Sequence, residues 1–256
     1  MSEREPHAAA GRASRAGRAS GAQDLTLTGP AEDYLKVIYE IGKGGEAAAT
    51  TDIASELGIA APSVSGMLQR LARLGLVKVE RYRGARLTAT GRQIALQLLR
   101  RHRIIETYLV EKLGFGWDDV DEEAERLEHA ASPELVERMD ASLGRPTADP
   151  HGAPIPTAAG RVDERRLSSI ADLPDRTVAR VVRMSDRDPA FLRYLAERGI
   201  LPGATVRVES REPFEGPITL TVSRTRHTIG TNVAARVYVE TGHPKPAISH
   251  RRRARR

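Results

Sequence analysis

Residues 51–88, TDIASELGIAAPSVSGMLQRLARLGLVKVERYRGARLT, decide the fold. Thr51 can cap a short helix carrying Ile53 and Leu57, and Gly58 breaks it. Pro62 suits the first turn of a second helix, along which Val64, Met67, Leu68, Leu71 and Leu74 recur on one face. Gly75 stops that helix. Two short β-rich pieces follow, Leu76-Val77-Lys78-Val79 and Arg86-Leu87-Thr88, joined by the turn Tyr82-Arg83-Gly84-Ala85. Two helices and a hairpin in this order predict a winged helix–turn–helix.

The second helix presents Ser63, Ser65, Gln69, Arg70 and Arg73 opposite its apolar stripe. Small hydroxyls near a helix N-terminus reach base edges in a major groove, and arginines contact phosphates. The wing adds Arg81, Tyr82, Arg83 and Arg86. With Thr51 and Pro62, these are the expected contacts to double-stranded DNA. Ala60, Ala61 and Gly66 offer little to base readout, so specificity is expected to rest partly on DNA shape. The alternative is a winged helix used only for protein contacts. Cations on both helix and wing weigh against it.

Upstream, a helix is expected from Pro30, with Thr28 near its cap, Leu35, Ile38 and Ile41 on its apolar face, and Gly44-Gly45 at its end. Residues 1–24 are rich in Ala, Gly, Ser and Arg and cannot bury a core, so they are expected to be a disordered tail. Downstream, Thr90 is expected to cap a long helix running to about Leu113. A helix over roughly Asp118–Ala131 follows, then one opened by Ser132-Pro133 and closed by Gly144. Pro146, Pro150, Pro154 and Pro156 mark a linker. From about Leu167, β-rich runs at 177–182, 205–208, 218–222 and 236–239, with a helix near 189–198, predict a small β-barrel. The expected division is a winged-helix domain (25–90), a helical domain (91–145), a linker (146–164), a barrel (165–240) and a basic tail (241–256). The fold class is mainly α with a small β-barrel.

The chain of 256 residues contains no cysteine, which excludes disulfides, zinc–thiolate sites and thiol nucleophiles. No apolar run is long enough to span a membrane. The basic N-terminus lacks the apolar core of an export signal, so a cytoplasmic protein without a membrane partner is expected. A net charge of +6 favours polyanions, nucleic acid first. Arg251, Arg252, Arg253, Arg255 and Arg256 read as a solvated end or a non-specific phosphate contact.

A second pattern concerns metal. Glu125, Glu128 and His129 stand at i, i+3 and i+4, and His102 and Glu106 at i, i+4 on the preceding helix. Alone, such an acidic string is commonplace on a solvated helix face. Asp33, on the first helix, could close a site from the side of the DNA-binding unit. The order of letters, with glutamate at 125, is not the His-x-x-Glu-His of metallopeptidases. No nucleophile or base is otherwise assembled, so no enzyme and no small organic substrate are expected.

The run Ala31–Tyr39 (AEDYLKVIY), the segment Arg101–Glu106 (RHRIIE) and Glu125–His129 resemble the diphtheria-toxin-repressor family of metal-dependent regulators. So do the order of the parts and the linker Asp149–Pro156 (DPHGAPIP). Leu195–Gly203 (LAERGILPG) resembles a ferrous-transport-accessory, SH3-like barrel. The resemblance implies a primary metal site at Asp33, Glu125, Glu128 and His129, and a neighbouring site including His102 and Glu106. Asp121 stands where iron-type members carry a histidine. The barrel loop is short, and Asp186 and Asp188 are candidate replacements for its ligands; His151 is expected to be an exposed linker residue. Carboxylates at 33 and 125, where iron-sensing members have sulfur, suit Mn²⁺ over Fe²⁺ or another divalent metal. The implied protein is a homodimeric repressor of metal-uptake genes acting at a palindromic operator. A metal-independent winged-helix regulator and an iron-responsive repressor stand as alternatives.

Overall fold

The computed structural model describes residues 27–43, 45–185 and 188–242. The tail expected over 1–24, the basic tail beyond Gly242, Gly44 and Asp186 lie outside the described residues.

The first helix, α1 (Gly29–Gly42), carries Pro30 in its first turn. Thr28 holds the cap position but makes no side-chain cap bond. Helix α2 (Thr50–Leu57) has Ala49 at its cap, so Thr51 lies inside the first turn and does not cap. Its start is fixed by a backbone bridge between Ala48 and Ala85. Gly58 ends α2 in a left-handed conformation, and α3 (Ala61–Arg73) opens with Pro62. Strands β1 (Val77–Glu80) and β2 (Gly84–Leu87) pair antiparallel, with Glu80 opposite Gly84. A side chain at Gly84 is impossible, because its Cβ would lie 1.8 Å from the Ala48 carbonyl oxygen. Leu35, Ile38, Ile53, Leu71, Leu76 and Leu96 are fully buried in one core. Each contributes about 1.5–3 kcal/mol of apolar burial.

Helix α4 (Ala89–Tyr108) is capped by Thr88 rather than Thr90. The Thr88 hydroxyl donates to the Gly75 carbonyl at 2.7 Å and accepts from Gly91 N at 3.0 Å. One threonine therefore ends the recognition-helix segment and starts α4. A π-helical turn over Leu109–Leu113 extends α4. Helix α5 (Val120–Glu128) is shorter than expected at both ends and places His129 at its C-cap. Helix α6 (Pro133–Ser142) is capped by Ser132, whose hydroxyl accepts from Leu135 N at 3.2 Å.

The C-terminal unit contains β3 (Ser168–Ser169), β4 (Val178–Met184), α7 (Pro189–Ala196), β5 (Thr205–Arg211), β6 (Ile218–Val222), β7 (Thr225–Ile229), α8 (Thr231–Ala234) and β8 (Val237–Thr241). They form one antiparallel sheet in the order β3-β8-β4-β5-β6-β7. Bulges between Val181 and Arg183 and between Val208 and Ser210 interrupt its ladders, as they do where sheets bend. Among the described residues no ladder joins β3 to β7, so the expected barrel is not closed. The two-residue β3 is too short to close it.

The linker is packed. Gly152 (φ +84) crosses β4 so closely that a Cβ would lie 1.9 Å from the Val182 carbonyl oxygen. Ala153 and Ile155 are buried, and Trp117 of the helical unit packs against the core of the sheet.

Candidate metal centre and DNA surface

Three clusters of ligand atoms converge where α1, α4, α5 and the linker meet. The first joins Asp33 of α1 to Glu128 and His129 at the end of α5, with one ligand atom from each within 4.8 Å of the others. His129 Nε2 lies 3.5 Å from Asp33 Oδ1 and 3.7 Å from Glu128 Oε1. Its ring lies against Gly29, and its Nδ1 hydrogen-bonds Glu32 at 2.9 Å. That second bond fixes the ring and leaves Nε2 facing the carboxylates. Glu125 borders this group: its Oε1 is 3.9 Å from the ammonium of Lys36, which also contacts Glu128.

The second cluster holds His102, Glu106 and Asp121. His102 donates from Nδ1 to Glu128 at 2.8 Å and from Nε2 to Asp121 at 3.1 Å. Burial disfavours its charge, but the negative charge of Glu106, 3.7 Å from Nε2, and the hydrogen bonds to Asp121 and Glu128 prevail, holding its pKa well above the usual histidine range. Burial likewise opposes ionisation of Glu128, yet His102 and Lys36 outweigh it and lower that pKa. Glu125 is shifted upward, chiefly by burial.

The third cluster is Glu106, Asp149 and His151, all buried. His151 is fully buried, which corrects its reading as an exposed linker residue. The turn that carries it is held by Asp149 Oδ1, which accepts from His151 N and Ala153 N, both at 2.9 Å. His151 Nε2 donates to the Trp117 carbonyl at 2.6 Å, and its Nδ1 faces Glu106 Oε1 at 3.7 Å. Neither oxygen of Glu106 nor Nδ1 of His151 has a hydrogen-bond partner among the described residues. A buried carboxylate and a buried imidazole nitrogen left without hydrogen bonds are costly and suit a cation. Sequence reasoning did not place Asp149 and His151 among the candidate ligands. The signal was present in Asp-Pro-His-Gly, where two ligand types flank a proline ahead of a glycine.

Asp188 is placed elsewhere: it caps α7, accepting from Ala190 N and Phe191 N, and belongs to none of the three clusters. On the DNA-binding unit, Thr51, Pro62, Ser63, Ser65, Gln69, Arg70, Arg73, Arg81, Tyr82 and Arg83 are all exposed. Arg81 stacks on the Tyr82 ring at 4.8 Å at the wing tip. Arg86 differs. It is partly buried, bonded to Glu80 at 2.8 Å and to the Gly45 carbonyl, which makes it a brace for the wing.

Residues 26–85 match the model of the iron-dependent-repressor N-terminal DNA-binding domain. Residues 88–157 match that family's metal-binding and dimerisation domain, and 169–241 match the FeoA domain. The chain belongs to the iron-dependent-repressor (diphtheria-toxin-repressor) family. It is 33% identical over 196 residues to the iron-dependent repressor IdeR of Mycobacterium tuberculosis, covering 72% of this chain and 85% of that one. Among solved structures, a manganese-dependent transcriptional repressor in complex with manganese is similar at 38% identity and a TM-score of 0.77, covering 82% of this chain and 99% of the other. The manganese regulator SloR is similar at 32% identity and a TM-score of 0.71, covering 83% and 98%. This repressor is thus a metal-responsive transcriptional regulator and not an enzyme. No helix among its described residues is long and apolar enough to cross a membrane.

Proposed function

We propose that this repressor is activated by Mn²⁺, represses metal-uptake genes through a palindromic operator, and works as a cytoplasmic homodimer. The donor set carries the reading. Asp33, Glu125, Glu128 and His129 offer three carboxylates and one imidazole, and the chain has no thiol. Hard oxygen ligands suit Mn²⁺, whereas sulfur favours softer ions. The similarity to manganese-dependent repressors supports it. The family's iron-dependent name and the likeness to IdeR favour the second reading, activation by Fe²⁺.

Asp33, Glu125, Glu128 and His129 would hold the first ion, and Glu106, Asp149 and His151 a second. His102 and Asp121 lie between the two groups. A bound divalent cation supplies concentrated positive charge that relieves repulsion among the carboxylates. The residues then do the mechanical work. Asp33 belongs to α1, which packs on α2 of the DNA-binding unit, while Glu128 and His129 belong to α5. Drawing these side chains together ties the recognition unit to the dimerisation helices and fixes the spacing of two recognition helices. Linkage requires operator DNA to tighten metal binding by the same factor.

The test is operator binding by fluorescence anisotropy with Mn²⁺, Fe²⁺, Zn²⁺ or chelator. Tight binding with Mn²⁺ at lower free concentration than Fe²⁺ is expected. Equal affinity in metal and chelator would sink the metal switch, and preference for Fe²⁺ would select the second reading.

A further inference from the structure

Lys36 follows Asp33 by one turn of α1, and its side chain is 10% exposed. Its ammonium contacts Glu128 and lies 3.5 Å from Asp33 Oδ1 and 3.9 Å from Glu125 Oε1. These are three of the four residues proposed above for the first ion, and the inference rests on that reading. An ammonium has no lone pair, so Lys36 cannot join them as a ligand. It can only be their counter-charge.

The oxygen it holds is contested. Glu128 is 1% exposed, so water cannot solvate its charge, and its other oxygen is bonded to His102. Glu128 Oε1 also lies 3.7 Å from His129 Nε2, on the side facing Asp33. A divalent ion placed between Asp33, Glu128 and His129 would meet the Lys36 ammonium at the same oxygen, and two cations there repel. A lysine is suited to yield, since its point charge rides a flexible four-carbon stem. An arginine would clamp the carboxylate through a planar fork.

We propose that Lys36 is the resident counter-cation of the first site. It holds the carboxylates of α1 and α5 together in the metal-free protein and must release Glu128 before a divalent ion enters. It thereby sets the metal concentration at which the repressor responds.

Two variants of the full chain test this in opposite directions. Mn²⁺ affinity is measured by competition with a chromophoric chelator for wild type, Lys36→Met and Lys36→Arg, with Glu128→Gln marking the first site. Lys36→Met is expected to tighten first-site binding by about tenfold or more and to lower the melting temperature of the metal-free protein. Lys36→Arg is expected to weaken binding. Mn²⁺ affinity in Lys36→Met equal to or below wild type overturns the proposal. Should Lys36→Met fail to fold without metal, it is purified in Mn²⁺ and its release into excess chelator is timed. Slower release than wild type supports the proposal; equal or faster release overturns it. If wild type binds no better than Glu128→Gln, the first-site reading fails and the proposal falls with it.

Discussion

Glu128 on α5 and His102 on α4 are joined by a 2.8 Å hydrogen bond, so neighbouring ligand clusters share one wall. Lys36 holds the other oxygen of the same carboxylate. Glu128 is therefore a side chain on which α1, α4 and α5 converge. Glu128→Gln keeps its volume and removes its charge. Loss of an outer-shell partner already costs metal sites about 10–100-fold, so loss of this group should exceed that for the first ion. Operator binding should then no longer respond to Mn²⁺ in an anisotropy titration. A full response would remove Glu128 from the site.

Glu106 separates the clusters by experiment. Both its oxygens are buried without a hydrogen-bond donor, and His151 Nδ1 faces one of them. Glu106→Gln and His151→Phe should each abolish one of two Mn²⁺ binding events in calorimetry while the first persists. A variant that keeps both events would show that the third cluster holds no ion.

The winged helix was legible because its signals are local: a glycine stop, a first-turn proline and a 3.6-residue apolar stripe. The candidate ligand residues on α4 and α5 could be picked out for the same reason, since i, i+3 and i+4 spacing is a property of one helix. What could not be read depended on contacts between segments. Thr88 displaced Thr90 as the cap because the chain returns to Gly75. His151 is buried because Gly152 lets the linker lie against β4. Strand β7 escaped notice because only Ile229 of its five residues is buried. Lys36 meets Glu128 only because α5 lies beside α1, a pairing that no local spacing encodes.

The arginines of the DNA-binding unit should divide by salt dependence. Arg70 and Arg73 are exposed on α3, whereas Arg86 is bonded to Glu80 and Gly45. Arg70→Ala and Arg73→Ala should each reduce the slope of log affinity against log salt by about 1, with melting temperature unchanged. Arg86→Ala should lower the melting temperature through a loosened wing. A reduced salt slope without loss of stability in Arg86→Ala would return it to the phosphate contacts.

Tyr39 of α1 donates a 2.6 Å hydrogen bond to Glu164, and Arg92 of α4 reaches the same oxygen at 2.7 Å. The end of the linker is thereby tied to the DNA-binding unit. The hydrogen bond from Tyr39, with lesser help from Arg92 and against the effect of burial, holds the Glu164 pKa below the usual glutamate value. A depressed folded pKa means the tie is at full strength above the unfolded value, about 4.3, and is lost as pH falls through the folded one. The melting-temperature gap between wild type and Glu164→Gln should be constant from about pH 5 to 7 and shrink below about pH 4. Tyr39→Phe should cost about 1 kcal/mol at neutral pH, read by urea unfolding. A gap that persists undiminished at pH 3 would mean that Glu164 acts by packing, with its charge irrelevant to the tie.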